Sequence, residues 1–579
     1  MAYTAAEAAP GKGGKQSLIR LETVMIAAAI IALAMLVILP VFSLLVGAVW
    51  GPHGLTLQYF QRTLTGRLYV TPLINSLILG AWTGLCSVAI GVPLAWAIAR
   101  TNVPCKKLIQ AASTLSYLSP PFLTAIAFVN LFSPNAGLVN VFIHDVLGLK
   151  EITLNIFTMA GLVTVTVLHT FPFVYLLASS ALQSVDASYE EAAQILGAGK
   201  LRTALVITGP LVAPAILSGT LLAFVNAIAL FGSQAIIGLP GRVITLPIRI
   251  YSLFDYPPQY GPASALSLIF VAITIAALYL QRAFLARRSY VTLGGKGARP
   301  QLMDLGWIRW VVLAFCCVVF IVAVVMPFGT LIAVSFSGSW GINFWHGLTL
   351  AHYKFILIDY DVTRRAIINS LMLATGAATF AVLLGTMITW IDLRTKLIGR
   401  KVLDYAALIP LGLPGIVMAV ALIQFWLAMP ISIYGTFTIL LLAYVGRYIP
   451  LGVRAANSSL RQIDPSLEES ARILGASWGQ TMTEVTMPLM RPGLFAGWLL
   501  VFVPAIQELS ASILLFSSSS MTLAVAVYNL YETGATEAVA ALAMVNMVII
   551  GIAVAIAHKL GGSRIGTKSH INDNTGRAA

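Results

Sequence analysis

The stretch Asp186-Ala-Ser-Tyr-Glu190-Glu191-Ala192-Ala-Gln-Ile-Leu-Gly197-Ala, closed by Gly209-Pro210, decides the reading because the chain repeats it. The second copy is Asp464-Pro-Ser-Leu-Glu468-Glu469-Ser-Ala471-Arg-Ile-Leu-Gly475-Ala, closed by Met487-Pro488. Glu190 to Glu468, Gly197 to Gly475 and Pro210 to Pro488 are each 278 positions apart, so order and spacing persist over about 25 residues. A further echo, Ile74-Asn75-Ser76-Leu77 against Ile368-Asn369-Ser370-Leu371, has an offset of 294. The excess of 16 belongs to the first half, where Ser133-Pro134-Asn135-Ala136-Gly137 and the loop to about 156 exceed the tight Met429–Tyr434 turn.

What surrounds the repeats is apolar. With 59% hydrophobic and 10% charged residues, the 579-residue chain has too little polar surface to coat a soluble globule. Runs long enough to cross about 30 Å of hydrocarbon as helix recur at 24–49, 74–99, 111–133, 157–183, 211–231 and 264–285. Six more lie at 308–335, 367–391, 404–429, 434–458, 493–516 and 538–559. They lack the alternation of barrel strands, so the expected fold is all-α and transmembrane: twelve helices in two parallel six-helix repeats forming a pseudo-two-fold pair. The expected domains are 1–285 with its loop 186–210, a Gly-rich cytoplasmic linker 286–306, 307–562 with its loop 464–488, and a tail 563–579.

Basic residues set the orientation. Lys12, Lys15 and Arg20, then Arg100, Lys106 and Lys107, then Lys200 and Arg202 alternate with poorer loops, and the second half follows suit. Both termini are expected on the cytoplasmic side, with Arg364 and Arg365 as an imperfection. The first apolar run is too long and lacks a cleavage site, so it reads as an uncleaved span rather than a signal peptide. The net charge of +14 is accounted for by topology and anionic membrane lipid, without nucleic acid. Cys86, Cys105, Cys316 and Cys317 show neither CxxC spacing nor a His partner, so neither metal nor disulfide is expected.

In each repeated loop a Ser opens a short helix and a Glu three residues on can bond back to it: Ser188 with Glu191, Ser466 with Glu469. Gly197 or Gly475 then supplies a left-handed closing residue, and Pro210 or Pro488 enters the next span. The product is a rigid elbow presenting Ile195 and Leu196, or Ile473 and Leu474. One such helix could lie on lipid headgroups; two in register favour docking on a two-fold partner.

These loops resemble the EAA motif of permease subunits of ABC importers: Glu191-Ala192-Ala193 with Gly197, and Glu469-Ser470-Ala471 with Gly475. Ser119-Pro120-Pro121-Phe122-Leu123, Leu131-Phe132-Ser133-Pro134-Asn135-Ala136-Gly137-Leu138, Gly238-Leu239-Pro240-Gly241-Arg242 and Glu508-Leu509-Ser510-Ala511-Ser512 resemble fused iron(III)-type permeases. The resemblance implies that Glu190, Glu191, Ala192, Gly197, Glu468, Glu469, Ala471 and Gly475 couple to two ATP-binding subunits that hold ATP and Mg. It also implies a periplasmic solute-binding protein and, as cargo, ferric iron. Relatives with similar text move thiamine, aminoethylphosphonate, polyamines or small anions.

The chain itself has no P-loop: Gly11-Lys12-Gly13-Gly14-Lys15 and Gly294-Gly295-Lys296-Gly297 lack the Ser/Thr and the preceding strand. No catalytic residue, bound cofactor or enzyme activity is expected. Glu508, about two-thirds along span eleven, is a costly intramembrane carboxylate at roughly 2.5–3.5 kcal/mol and so either lines a path or bonds backbone amides. Gln507 and Ser510 beside it, and Ser233 and Gln234 near its first-half register partner Leu230, complete the expected translocation path. Asn130, His169, Asn226 and Gln424 read more simply as interhelical contacts. The rival arrangement, an ion-coupled secondary transporter with twelve spans in two halves, would need buried protonatable groups in several spans and would leave the paired elbows without purpose.

Overall fold

The computed structural model describes residues 12–286, 302–341 and 344–562. Among the described residues ten helices are long and apolar enough to cross a membrane, twelve when each of two bent helix pairs is taken as one span. The first half holds span one (Thr23–Val49), span two (Arg67–Arg100), span four (Met159–Ser184), span five (Ala204–Ala229) and span six (Tyr260–Phe284). In the second lie span seven (Ile308–Phe336), span eight (Asp361–Arg394), span ten (Phe437–Leu460), span eleven (Trp478–Ile506) and span twelve (Thr536–Ile556). The sole paired strands among the described residues form a two-residue hairpin, Trp50–Gly51 with Gly54–Leu55.

The runs at 111–133 and 404–429 were expected as continuous helices and are not. Span three is Lys106–Leu118 followed by Pro121–Phe132, bent by 99°, and span nine is Arg400–Gly412 followed by Gly415–Leu427, bent by 115°. The cause is local. Pro120 and Pro121 withhold two N–H donors, and each disfavours a helical residue before it, so Ser119 is extended at ψ 128°. Leu413 before Pro414 is extended likewise, at ψ 113°.

Each half has the same kernel: span two packs on spans four and five, and span eight on spans ten and eleven. The Asn-Ser echo fastens it. Asn75 Nδ2 donates to Ile244 O at 2.8 Å while Ser76 Oγ accepts from Leu246 N at 2.8 Å. Asn369 Nδ2 donates to Met521 O at 3.0 Å while Ser370 Oγ accepts from Leu523 N at 2.7 Å. In both halves, two neighbouring polar side chains inside a span satisfy the backbone of the irregular segment that follows the fifth crossing, as buried polar backbone requires. The extra loop of the first half is held by Asn140, whose amide donates to Ser133 O and Leu154 O and accepts from Leu154 N.

Spans one and seven are exchanged between the halves. Span one packs on spans six, eight and nine, with Ser43 Oγ donating to Ala421 O at 3.2 Å. Span seven packs on both segments of span three as well as on span twelve. Close approach is secured by Gly446 of span ten, where a Cβ would stand 3.0 Å from Leu36 O. The linker is also more structured than its composition suggests. Met303 bridges Thr101, Met303 N donates to Arg100 O at 2.8 Å, and Asn102 Nδ2 donates to Asp304 Oδ1 at 2.6 Å. Its Gly-rich centre and the tail 563–579 lie outside the described residues. Arg364 bonds Asp361 at 2.7 Å on the surface, which offsets one of the two misplaced cations.

Candidate functional site

Both elbows form. Helix Ala187–Ile195 ends before Gly197 at φ +85°, and helix Pro465–Ile473 before Gly475 at φ +92°. Among the described residues no atom lies within 4 Å of a Cβ built on either glycine, so the demand is conformational and not steric. The helix starts differ from expectation. Asp464, not Ser466, is the N-cap: its carboxylate accepts from Ser466 N at 2.9 Å, and Asp186 accepts from Ser188 N at 2.9 Å. The expected Ser466–Glu469 box is replaced because an Asp two residues earlier reaches the free N–H first, and Glu469 is left exposed. Those N–H bonds, then the Ser hydroxyls, hold both Asp carboxyls below the usual carboxylate range. The Glu191 side chain lies outside the described residues.

The Glu190 and Glu468 side chains, expected to couple to ATP-binding subunits, turn in toward the protein. Each is the centre of a latch. Arg394, the last residue of span eight, donates from Nε to Glu468 Oε1 at 3.2 Å and from Nη2 to Ile463 O at 2.9 Å, while Thr486 donates to the same carboxylate oxygen at 3.2 Å. Arg100, the last residue of span two, places Nη2 3.8 Å from Glu190 Oε1 and donates to Val185 O at 2.8 Å, and Thr208 donates to Glu190 at 2.8 Å. The Glu, carbonyl and Thr partners are 278 positions apart, and the arginines 294, the two offsets of the sequence. Thus the first Glu of each motif ties its elbow to the end of the second crossing of its half. What the elbows present is apolar: Ile195, Leu196, Ile473 and Leu474 are 84–88% exposed. Glu469, Ala192, Gly197 and Gly475 are exposed, and Ala471 is half-buried.

A cavity of about 1010 Å³ lies between the halves. Tyr117, His169, Asn226 and Phe231 line it from the first half, and Arg447, Arg491, Gln507, Glu508 and Ser510 from the second. One face of span eleven, from Arg491 to Pro504, runs along it, a rise of roughly 20 Å at 1.5 Å per residue. Glu508 is not within span eleven as expected, because that helix ends at Ile506. The carboxylate stands in the break that follows, where Oε1 accepts from Ala511 N at 3.0 Å and Oε2 accepts from Tyr448 OH at 2.6 Å and from Arg447 Nε at 2.9 Å. Gln507 crosses between the halves, its Nε2 donating to Leu118 O at 3.0 Å. Ser233 and Gln234, expected on the translocation path, are not among the residues that line this cavity. Both are fully buried, and Gln234 donates to Ala227 O at 2.7 Å and accepts from Thr245, bracing the first-half break at Leu230. Asn130 and Gln424 also lie off the cavity, the latter donating across the halves to Ser264.

Arg447 was missed because one cation is absorbed in the hydropathy of a 24-residue helix. The 278 offset would have found it, since it places Arg447 on His169, and the structure sets both on the cavity wall from opposite halves.

Residues 88–290 and 377–565 match a family described as the binding-protein-dependent transport system inner membrane component, one elbow falling in each matched segment. The chain is 28% identical over 503 residues to a putative ferric transport system permease protein of Haemophilus influenzae, covering 86% of this chain and 77% of that one. Identity is again 28%, over 479 residues, to a ferric transport system permease protein of Actinobacillus pleuropneumoniae, covering 81% and 68%. A molybdenum transport system permease protein of Escherichia coli is 30% identical over 220 residues, 38% of this chain and 93% of its own.

Proposed function

The chain belongs to the family of binding-protein-dependent transport system inner membrane components, and we propose that it supplies the complete transmembrane pair of an ATP-driven importer. Two ATP-hydrolysing subunits, holding ATP and Mg, dock on the elbows in the cytoplasm. A solute-binding protein delivers cargo on the periplasmic face, and both termini are cytoplasmic. Ferric iron is the favoured cargo, since two permeases similar over most of the chain carry ferric transport in their names. The chain performs no catalysis; it converts closure of its partners into a movement of one half against the other.

The observation that carries this reading is the duplicated latch with its exposed Ile-Leu pair. A lever must be stiff at its root and adhesive at its tip. The Arg-Glu-Thr latch gives the first property, and two solvent-facing aliphatic residues per elbow give the second. Burying a Leu or Ile in a partner's cleft is worth about 1.5–3 kcal/mol, so Ile473→Asp with Leu474→Asp should abolish capture of the ATPase subunit at that elbow. Retained capture and undiminished ATP-driven uptake by this double variant would sink the docking assignment.

A further inference from the structure

The charges on the cavity wall are unequal, and their pairing says which cargo charge the wall accepts. Glu508 is the sole carboxylate lining the cavity among the described residues, and it is already spent: Arg447, Tyr448 and the Ala511 amide occupy both of its oxygens. The lining carboxamides Gln507 and Asn226 direct their N–H groups to Leu118 O and Leu222 O. Arg491 is different. It stands exposed on the cavity face of span eleven, with no ion pair or hydrogen bond among the described residues. The unpaired charge of the cavity wall among the described residues is therefore a guanidinium. Nowhere among the described residues do three His, Cys, Asp or Glu side chains gather as ion ligands.

We infer that this cavity takes its solute as an anion, so that a metal crosses as a negatively charged complex and not as a bare cation. The inference rests on the importer reading and narrows it. A bare trivalent cation in the cavity would meet an uncompensated guanidinium and no free carboxylate, in surroundings where charge is poorly screened. An oxyanion or a carboxylate-wrapped metal meets the planar donor fork that such groups favour. Arg447, paired to Glu508, is the second guanidinium on the cavity wall.

The test needs no partner protein. The full-length chain in nanodiscs of neutral lipid is melted at fixed ionic strength with ferric citrate in excess citrate, with spermidine, or with magnesium chloride. The complex should raise the melting temperature and the two cations should not. Arg491→Gln should raise the concentration for half-maximal stabilisation by on the order of tenfold, and Arg491→Glu should remove the effect. Arg202→Gln, outside the cavity, should keep the wild-type response. Arg491 is exposed and unpaired, so the unliganded variants should melt with the wild type. Stabilisation by spermidine or magnesium at least equal to that by the complex would overturn the inference. So would an absent response to the complex, an unchanged response in Arg491→Gln, or an equal loss in Arg202→Gln. Failure of the importer reading would appear elsewhere, as missing ATPase capture at the elbows, and would leave these melting curves untouched.

Discussion

Glu508 and Glu468 are both buried acids paired to arginine, and the same accounting applies to each. Removing one partner of a buried pair leaves the other charge uncompensated, at about 3–5 kcal/mol. Glu468 is 5% exposed and its arginine 3.2 Å away, so Glu468→Ala should cost about 3 kcal/mol in denaturant unfolding. Glu190→Ala should cost clearly less, because its carboxylate is 16% exposed and stands 3.8 Å from Arg100. Equal losses at the two latches would mean that the closer contact of the second contributes nothing. For Glu508→Gln the cost should again be near 3 kcal/mol, at the low end because the Arg447 side chain keeps 22% of its exposure. The sequence showed a carboxylate where hydrocarbon was expected and posed two roles for it, path wall or backbone acceptor. In the structure the side chain lines the cavity and also takes the Ala511 amide. Its principal partner stayed hidden because a single Arg hardly moves the hydropathy of span ten.

At the scale of elements, the elbows were legible and their caps were not. Motif spacing and the closing glycines fixed where each helix ends, whereas the start depended on which of two adjacent polar residues reaches a free N–H. Gly475→Val should cost about 1–2 kcal/mol, all of it from the left-handed backbone, since space for the side chain is open. Misdirection of the elbow should then halve ATPase capture or worse while span insertion persists, which a pull-down against membrane yield would measure. Asp464 gives a pH dependence of known sign. Its carboxyl is depressed in the folded elbow, so its contribution is present above the ordinary carboxylate range and vanishes as pH falls through the depressed value. Protection factors of the amides at 466–473, taken against the intrinsic exchange rate at each pH, should fall below that range in the wild type, and an Asp464→Asn elbow should show no such change. The bends of spans three and nine were encoded by Pro120-Pro121 and Pro414. Apolar run length overrode that signal in the sequence reading, because hydropathy measures composition and is blind to direction.

Over the whole molecule, the repeat announced two halves but not that each lends a span to the other. Exchange leaves no periodic trace, since a lipid-facing helix and one lying on a foreign half have the same composition. Its consequence is that the linker need not hold the halves together. Span one lies on the second half through Ser43 and the Gly446 approach, and span seven lies on both segments of span three. Trp340, just beyond span seven, donates to Asn130 O at 3.1 Å. Cutting the chain between residues 294 and 297 and co-expressing the pieces should therefore give halves that co-purify through one tag. The cut must fall there, because Met303 and Asp304 are fastened to Arg100 and Asn102 beside the first latch. A first piece begun after Val49 should lose the partner, since it forfeits the lent span while keeping its own kernel of spans two, four and five. Co-purification of that shortened piece at the full yield would show that the exchanged spans decorate the assembly without holding it.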